Sequence, residues 1–321
     1  MPHSHHHHND HGHEHDHDHD KHHGHHHHHP ELPKDFGLAF ALAVGVNTLF
    51  VVIEFVYGFL ANSTALMADA GHNLSDVLGL LLAWAAAELA KKEPNRRFTY
   101  GLRGSSILAA TANAALLLVA CGAIAWEAVQ RFWAPSPVAG NTVMIVAGIG
   151  ILVNSFSAWL FMRGSKHDLN IRGAYLHMAA DAAVSLGVVI AGFVMTYTGW
   201  QWLDPAVSLV IVLVIVYGTW DLLRESLELS VHAVPQKVNL KNIESYLLNL
   251  PGVSSIHDLH VWGVSTTENA LTVHLVTPDG YPGDEFMDAV IHSLAHDHGI
   301  HHSTLQIEQG TTHHVCALVK A

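Results

Sequence analysis

The sequence predicts a polytopic α-helical membrane protein that ends in a small α+β domain, and three observations support this prediction. Half of the 321 residues are hydrophobic and only 13% are charged, whereas charged residues make up about 25% of an average soluble domain. The apolar residues lie in long runs between residues 36 and 223. After about residue 230, shorter helical and alternating patterns replace these runs.

Residues 1–34 are predicted to form a disordered, histidine-rich cytoplasmic tail. Seventeen of the 31 histidines lie within residues 1–29, interleaved with carboxylates. Such a segment has no apolar face to bury, so it is not expected to fold. The mixture of imidazole and carboxylate in HGHEHDHDHD favours a natural tail that collects metal weakly. A cloning tag or an inert solubilising tail is the alternative. The first apolar run follows 35 polar residues, so no signal peptide is expected.

Residues 35–229 are predicted to form the membrane domain, with six apolar segments. Each is long enough to cross a hydrocarbon layer of about 30 Å at about 1.5 Å per residue. The predicted spans are residues 36–60, 64–89, 105–131, 141–163, 173–198 and 203–223.

Basic residues are concentrated in two of the connections between these spans. The second and fourth connections carry Lys91, Lys92, Arg96, Arg97, Arg103, Arg163, Lys166 and Arg172. The other three connections carry none, apart from Arg131 at the edge of the third. The positive-inside rule then places both termini in the cytoplasm of a multi-pass protein of the cytoplasmic or inner membrane.

Residues 230–321 are predicted to form one small cytoplasmic domain. VNLKNIESYLLNL reads as an amphipathic helix, and VSSIHDLHVWGV and NALTVHLVT alternate as two strands joined by a turn at STTE. GDEFMDAVIHSLAHDHG is a second helix and HSTLQIEQ a third strand. The order α-β-β-α-β predicts a ferredoxin-like α+β domain, too small to divide further.

Two predicted spans carry the same polar pattern. In ADAGHNLSD of the second span, His72 and Asp76 are four residues apart, and in AYLHMAADAAVS of the fifth span His177 and Asp181 repeat this spacing. Residues at i and i+4 share one face of a helix. Two imidazoles and two carboxylates are the number and type of ligands that a tetrahedral zinc ion takes. Two carboxylates also cancel the charge of one dication, which lowers the cost of a charged site in a membrane.

Other polar residues in the spans have less specific interpretations. Single polar residues usually join helices by a hydrogen bond, which is the interpretation preferred for Asn47, Asn113 and Asn154. Glu54 could line a water-filled cavity or relay protons, and Asp69 could assist the second-span motif; the sequence leaves both roles open.

Catalysis is not favoured by the motifs present. The spans contain no HExxH, no GxSxG and no Cys–His pair, and four ligands would close the site to substrate water. The two cysteines, Cys121 and Cys316, cannot form a disulfide framework. The prediction is that the chain is not an enzyme.

Transport explains the two HxxxD motifs better than catalysis does. Protons compete with metal for histidine and aspartate ligands, so a site that opens alternately to each side exchanges metal for protons. The chain also lacks the phosphate-binding loop GxxxxGK[ST], so no nucleotide is expected to drive this exchange.

The whole pattern resembles the cation diffusion facilitator family, especially its bacterial zinc, cobalt and cadmium efflux members and the vesicular zinc transporters. The stretches STALMADAGHNLSD, GAYLHMAAD, WLDPAVSL, LPGVSSIHDLHVW and LTVHLV carry this resemblance. It implies proton-coupled export of a divalent metal by a homodimer. It also implies that His72, Asp76, His177 and Asp181 are the transport ligands, and a histidine at position 72 is typical of zinc-preferring members.

The resemblance also favours a regulatory zinc site in the cytoplasmic domain. Its ligands would be His257, His274, Glu308 and either His301 or His302, with His232 as a further candidate. His302 and Glu308 are six residues apart and share a face of their strand. His257 and Asp258 in IHDLH, together with His274 and Glu308, lie on three predicted strands that could converge at one edge of the sheet. The alternative is that the domain's other histidines, His260, His292, His296 and His298, are surface residues. A second predicted cluster consists of His313, His314 and Cys316.

The sequence therefore predicts a homodimeric secondary transporter that exports Zn²⁺ in exchange for protons. Co²⁺, Ni²⁺ or Cd²⁺ as the main substrate is one alternative, because affinity order alone does not select zinc. A membrane metal sensor that does not transport is the other. The expected partners are the lipid bilayer, a second copy of the chain, divalent metal ions and protons. Zinc is both substrate and regulatory ligand, no cofactor is required, and no basic patch suggests nucleic acid.

Overall fold

The structure is a computed structural model that describes residues 38–162 and 169–310. The predicted histidine-rich tail and the predicted cluster of His313, His314 and Cys316 lie outside the described residues. Six long helices come first, followed by a smaller domain of two helices and three strands.

The six long helices correspond to the six predicted spans. They are α1 (Leu38–Leu60), α2 (Thr64–Ala90), α3 (Ser105–Trp133), α4 (Gly140–Met162), α5 (Leu169–Thr198) and α6 (Leu203–Ser230). In the described part of the chain, α2 to α6 are long and apolar enough to cross a membrane, and Gly45–Leu60 of α1 is a shorter apolar segment. The predicted fold class of the membrane domain is confirmed.

The last helix continues beyond the predicted end of its span at residue 223. α6 extends to Ser230, where the sequence RESLELS is no longer uniformly apolar. The guanidinium Nε of Arg224 donates to Glu228 Oε1 at 2.8 Å across one helical turn, and such i,i+4 pairs favour helix in solvent. The helix therefore leads out of the apolar bundle toward the second domain.

A network of buried polar groups ties three helices together at one end of the bundle. We call this the closed end; it carries the connections at residues 61–63, 134–139 and 199–202. The carboxylate of Asp204 accepts hydrogen bonds from Ser63 Oγ at 2.5 Å, from Thr64 N at 2.7 Å and from Thr64 Oγ1 at 2.8 Å. Arg131 Nη1 lies 3.9 Å from Asp204 Oδ2, and Arg131 also donates to Glu127 at 2.6 Å. The starts of α2 and α6 are thus fixed to the end of α3.

The second domain has the predicted order of elements: α7 (Leu240–Leu248), β1 (Ser255–Gly263), β2 (Asn269–Val276), α8 (Asp284–His296) and β3 (Ile300–Glu308). β2 is the central strand, antiparallel to β1 and parallel to β3. Apolar side chains of both helices pack against those of the sheet, including Ile243, Leu247, Leu271, Val290 and Leu294, each at most 1% exposed. The α-β-β-α-β prediction is confirmed.

The two domains meet at the connection between α2 and α3. Arg103 Nη1 in that connection lies 2.7 Å from Glu268 Oε2, beside the turn between β1 and β2. The backbone N–H of Thr266 in the same turn donates to Ser106 Oγ at 3.1 Å. We call this end of the bundle the domain end, because it is the end that contacts the second domain.

Candidate metal centres

The two HxxxD motifs meet between α2 and α5. His72 Nε2 lies 3.4 Å from Asp181 Oδ1 and 3.9 Å from Asp76 Oδ2. His177 Nε2 lies 3.0 Å from Asp76 Oδ2 and 3.6 Å from Asp181 Oδ2. Each side chain can offer one ligand atom, and those four atoms all lie within 4.8 Å of one another. The helical spacing seen in the sequence therefore converges on one point.

The spacing of these atoms suits a tetrahedral ion. Ligand atoms about 2.0–2.1 Å from a zinc ion are about 3.3–3.4 Å from each other in a regular tetrahedron. The four nitrogen–oxygen separations, 3.0 to 3.9 Å, bracket that distance. Small side-chain movements would complete such a coordination shell, and two imidazoles with two carboxylates hold a dication without net charge.

The four side chains differ in exposure along the bundle. Asp181 is 3% exposed and His72 is 23% exposed, whereas Asp76 and His177 are 33% and 39% exposed. Asp76 follows His72 along α2, and His177 precedes Asp181 along α5, so the two more exposed residues lie nearer the domain end. The site is accordingly more open toward the domain end than toward the closed end.

Two further carboxylates lie beside this cluster, on the side of the closed end. Glu54 of α1 and Asp69 of α2 are both 0% exposed. Asn73 Nδ2 donates to Glu54 Oε2 at 3.3 Å, and Ser185 Oγ donates to Asp69 Oδ2 at 3.1 Å. The sequence identified both acids but not their proximity, because they belong to different helices.

The polar residues interpreted as helix contacts occupy interhelical positions. Asn47 Nδ2 of α1 lies 3.5 Å from Ser157 Oγ of α4 and 3.4 Å from the sulfur of Met178 in α5. Asn113 of α3 packs against Gly79 of α2, where an added Cβ would lie 3.0 Å from its side-chain nitrogen. Asn154 is 1% exposed, and no partner of its side-chain nitrogen is found among the described residues.

The second domain brings together three of its six predicted ligands. His274 Nδ1 lies 2.9 Å from Glu308 Oε1 and 3.3 Å from His257 Nε2. His257 Nε2 lies 3.3 Å from Glu308 Oε2. The pairing of His257 with His274 across β1 and β2, and of Glu308 with Val276 across β2 and β3, puts all three side chains at one end of the sheet.

A β-bulge gives this cluster a fourth member. The register of β1 and β2 shifts between His257 and His260, and Asp258 has φ +53°. A bulge redirects a side chain that would otherwise point to the opposite face. Asp258 Oδ2 lies 3.6 Å from His274 Nε2, the ring nitrogen that faces away from Glu308. A carboxylate on that second nitrogen orients a metal-binding histidine, a role that strand alternation alone could not predict.

The structure does not bring the other three predicted ligands to this cluster. His301 and His302 lie at the start of β3, and six residues of strand separate His302 from Glu308 by about 20 Å. The ring of His302 instead contacts Tyr100, with centroids 5.5 Å apart. His232 lines a cavity of about 560 Å³ with Tyr100 and Trp262. Two residues that face the same side of a strand therefore cannot bind the same metal ion when they lie at opposite ends of the strand.

The histidines interpreted as surface residues have local partners. His296 is 77% exposed, and its hydrogen bond to the adjacent carboxyl, with that of Ser293, lowers the pKa of Asp297. His298 packs against Tyr246 with ring centroids 5.0 Å apart, and His260 Nε2 lies 3.0 Å from Asp258 Oδ1.

The fold and the paired motifs define an integral membrane protein with a four-ligand His/Asp cluster between two of its spans. Residues 40–229 match the family model described as the cation efflux transmembrane domain, and residues 235–310 match the cation efflux protein cytoplasmic domain. The chain belongs to the cation efflux family, the cation diffusion facilitators that the sequence resembles.

Several curated relatives are similar over most of their length. A cadmium, cobalt and zinc/H(+)-K(+) antiporter of Bacillus subtilis is 35% identical over 277 residues, 85% of this chain and 89% of the relative. The zinc transporter ZitB of Escherichia coli is 35% identical over 285 residues, 88% and 91% of the two chains. The metal cation efflux system protein CzcD of Cupriavidus metallidurans is 35% identical over 268 residues, 83% and 85% of the two chains.

Proposed function

We propose that this protein is a secondary active transporter that exports Zn²⁺ from the cytoplasm in exchange for protons, and that it acts as a homodimer. The observation that carries this proposal is the convergence of His72, Asp76, His177 and Asp181 between two membrane helices. The relatives named as zinc transporter and as cadmium, cobalt and zinc/H(+)-K(+) antiporter support it, as does the match to the family's cytoplasmic domain.

The chemistry of the four ligands couples the binding of metal to the release of protons. Imidazole binds a metal only when the ligating nitrogen is unprotonated, so zinc entering from one side displaces protons, and protons entering from the other side displace zinc. The greater exposure of Asp76 and His177 makes the domain end the open side in this conformation. Alternation then requires α2 and α5 to close this end and open the other. Ion gradients alone drive the cycle, so it involves no cofactor and no enzymatic step.

The basic residues in the connections between helices support an orientation in which the domain end of the bundle faces the cytoplasm. The connections at the domain end are the two that carry the clusters of Lys and Arg, and such residues favour the cytoplasmic side. Both termini and the second domain would then lie in the cytoplasm of a cell bounded by this membrane. The open site would take up zinc from the cytoplasm.

Metal preference is tested by competition. Co²⁺, Ni²⁺ and Cd²⁺ accept the same ligands, and one relative is named for cadmium and cobalt as well as zinc. We expect zinc to outcompete Co²⁺, Ni²⁺ and Mn²⁺ in uptake by proteoliposomes containing the purified protein. Faster uptake of Co²⁺, Ni²⁺ or Cd²⁺ than of zinc at equal concentrations would instead assign that ion as the main substrate.

A regulatory zinc site is proposed at His257, His274 and Glu308. Three strands of the second domain supply these ligands. Asp258 Oδ2 lies 3.6 Å from His274 Nε2, where it would orient the ring of His274. A metal bound there would stiffen this end of the sheet. The ion pair of Arg103 and Glu268 offers a contact through which the domain could affect the helices.

The proposed regulatory site predicts that two substitutions differ in their effect on zinc binding. Glu308→Ala should weaken zinc binding at this site at least tenfold, because it removes a ligand, whereas His302→Ala should change it less than about twofold. Zinc titration is done on protein that lacks residues 1–34 and carries Asp181→Ala, so that neither the tail nor the membrane site contributes. Equal effects of the two substitutions would contradict the assignment.

A further inference from the structure

Glu54 and Asp69 are two fully buried acids that the four-ligand site does not use. Asp69 lies three residues before His72 on α2, toward the closed end. Glu54 of α1 approaches the same face of α2, because its Oε2 accepts from Asn73 Nδ2 at 3.3 Å and Asn73 is four residues after Asp69. Both side chains are 0% exposed.

Each of these carboxyl groups has one satisfied oxygen and one unsatisfied oxygen. Glu54 Oε2 accepts from Asn73, and Asp69 Oδ2 accepts from Ser185. The remaining oxygens, Glu54 Oε1 and Asp69 Oδ1, are buried and have no hydrogen-bond donor in residues 38–162 and 169–310. Buried polar atoms are nearly always paired, so each of these two oxygens needs a partner that the described side chains do not supply.

The charged groups around Glu54 and Asp69 favour the binding of a small, positively charged species. Asp181 of α5 adds a negative charge to the surroundings, and His72 of α2 lies on the other side of Asp69. α4, which also packs on α1, has no ionisable side chain. Glu127 and Arg131 of α3 and Asp204 of α6 belong to the network at the closed end. The described residues place no basic side chain against the pair except His72.

A shared proton accounts for these observations. Two carboxyl groups in contact, away from water, cannot both be ionised at low cost, and one proton between them removes one charge. The protonated carboxyl becomes a donor and the ionised one accepts its O–H. A proton shared between the orphaned oxygens would give each of them the partner that it lacks.

We propose that Glu54 and Asp69 form a proton-binding site, distinct from the four metal ligands, that holds one shared proton. Its role in transport rests on the proposed function; its existence does not. The site lies on the closed side of the metal ligands while those ligands are open toward the domain end. The proton would remove one of the two negative charges on the closed side of the metal ligands, and it would leave or return when that side opens. The exchange of metal for protons would then involve a group that never touches the metal.

The test uses infrared spectroscopy of the full-length protein saturated with zinc, so that ligand carboxylates are metal-bound. We expect the carbonyl band of one protonated carboxyl at neutral pH, which Glu54→Gln/Asp69→Asn removes. Glu88→Gln, an exposed acid on the same helix as Asp69, should leave the band unchanged. If the double variant does not fold, Glu54→Gln alone must shift or remove the band, because the shared proton loses one of its two partners.

Three results would overturn the proposal. The first is the absence of the band in the wild type, or its persistence in the double variant. The second is loss of the band at constant pH when K⁺ or Na⁺ is added, since a monovalent cation would then occupy the pair. The third is a fall in zinc affinity of more than about tenfold in the double variant, since the acids would then be metal ligands. The band does not depend on transport, so an inactive but zinc-saturated wild type would refute the proposed function and leave this site standing.

Discussion

Asp181→Asn should reduce zinc transport to the level of empty proteoliposomes, a fall of at least about 100-fold. Removing even an outer-shell partner of a metal ligand costs about 10- to 100-fold, and Asp181 is the least exposed of the four ligands. Asparagine keeps the size of the side chain but removes the negative charge, so the occupied site would carry a net positive charge inside the membrane. Zinc uptake into proteoliposomes, followed with a fluorescent indicator, measures this change.

The matched control is Asp221→Asn. Asp221 is an exposed acid of α6, so its substitution makes the same chemical change outside the site. We expect its uptake rate to stay within about twofold of the wild type. Retained transport in Asp181→Asn, with protein inserted in equal amounts, would remove Asp181 from the site.

Asp204→Ala should destabilise the folded protein by about 3–5 kcal/mol, the usual cost of leaving a buried charge without its partner. Asp204 is 0% exposed and accepts three hydrogen bonds from Ser63 and Thr64. Its loss would leave these donors unsatisfied and would leave Arg131, which is 8% exposed, without its buried counter-charge. The midpoint of thermal unfolding in detergent, read from tryptophan fluorescence, reports the effect.

Glu127→Gln separates this loss from the general loss of an ion pair. Glu127 pairs with the same arginine at 2.6 Å, but its side chain is 43% exposed. Exposed ion pairs contribute about 0–1 kcal/mol, so the unfolding midpoint should move far less than in Asp204→Ala. Similar shifts in the two variants would mean that burial at the closed end does not determine the strength of the network.

The sequence predicted which four side chains lie together between α2 and α5 because that geometry is local. A spacing of four residues determines which side chains share a helix face, and two copies of one pattern leave little choice of partner. Only the distances between the His and Asp side chains of α2 and those of α5 required the structure. Glu54 and Asp69 show the limit of this reasoning, since helical spacing gives no information about which residues of different helices touch.

The cytoplasmic site was harder to predict, for two physical reasons. Strand alternation indicates a face but not a position along it. His302 was therefore predicted to share a face with Glu308, although the two residues lie at opposite ends of β3. A bulge also interrupts the alternation at Asp258, whose φ is +53°. Aspartate tolerates that conformation better than most residues. The sequence placed Asp258 among the residues that could converge at one sheet edge, but it did not predict the bulge.

The most direct test of metal/proton antiport is simultaneous measurement of both ions in sealed proteoliposomes with an acidic interior. External zinc should accumulate inside while protons leave, and an ionophore that collapses the proton gradient should stop the accumulation. Asp181→Asn should show neither flux. Zinc uptake that is indifferent to the proton gradient would contradict the coupling, and zinc binding without any uptake would identify a sensor instead of a transporter.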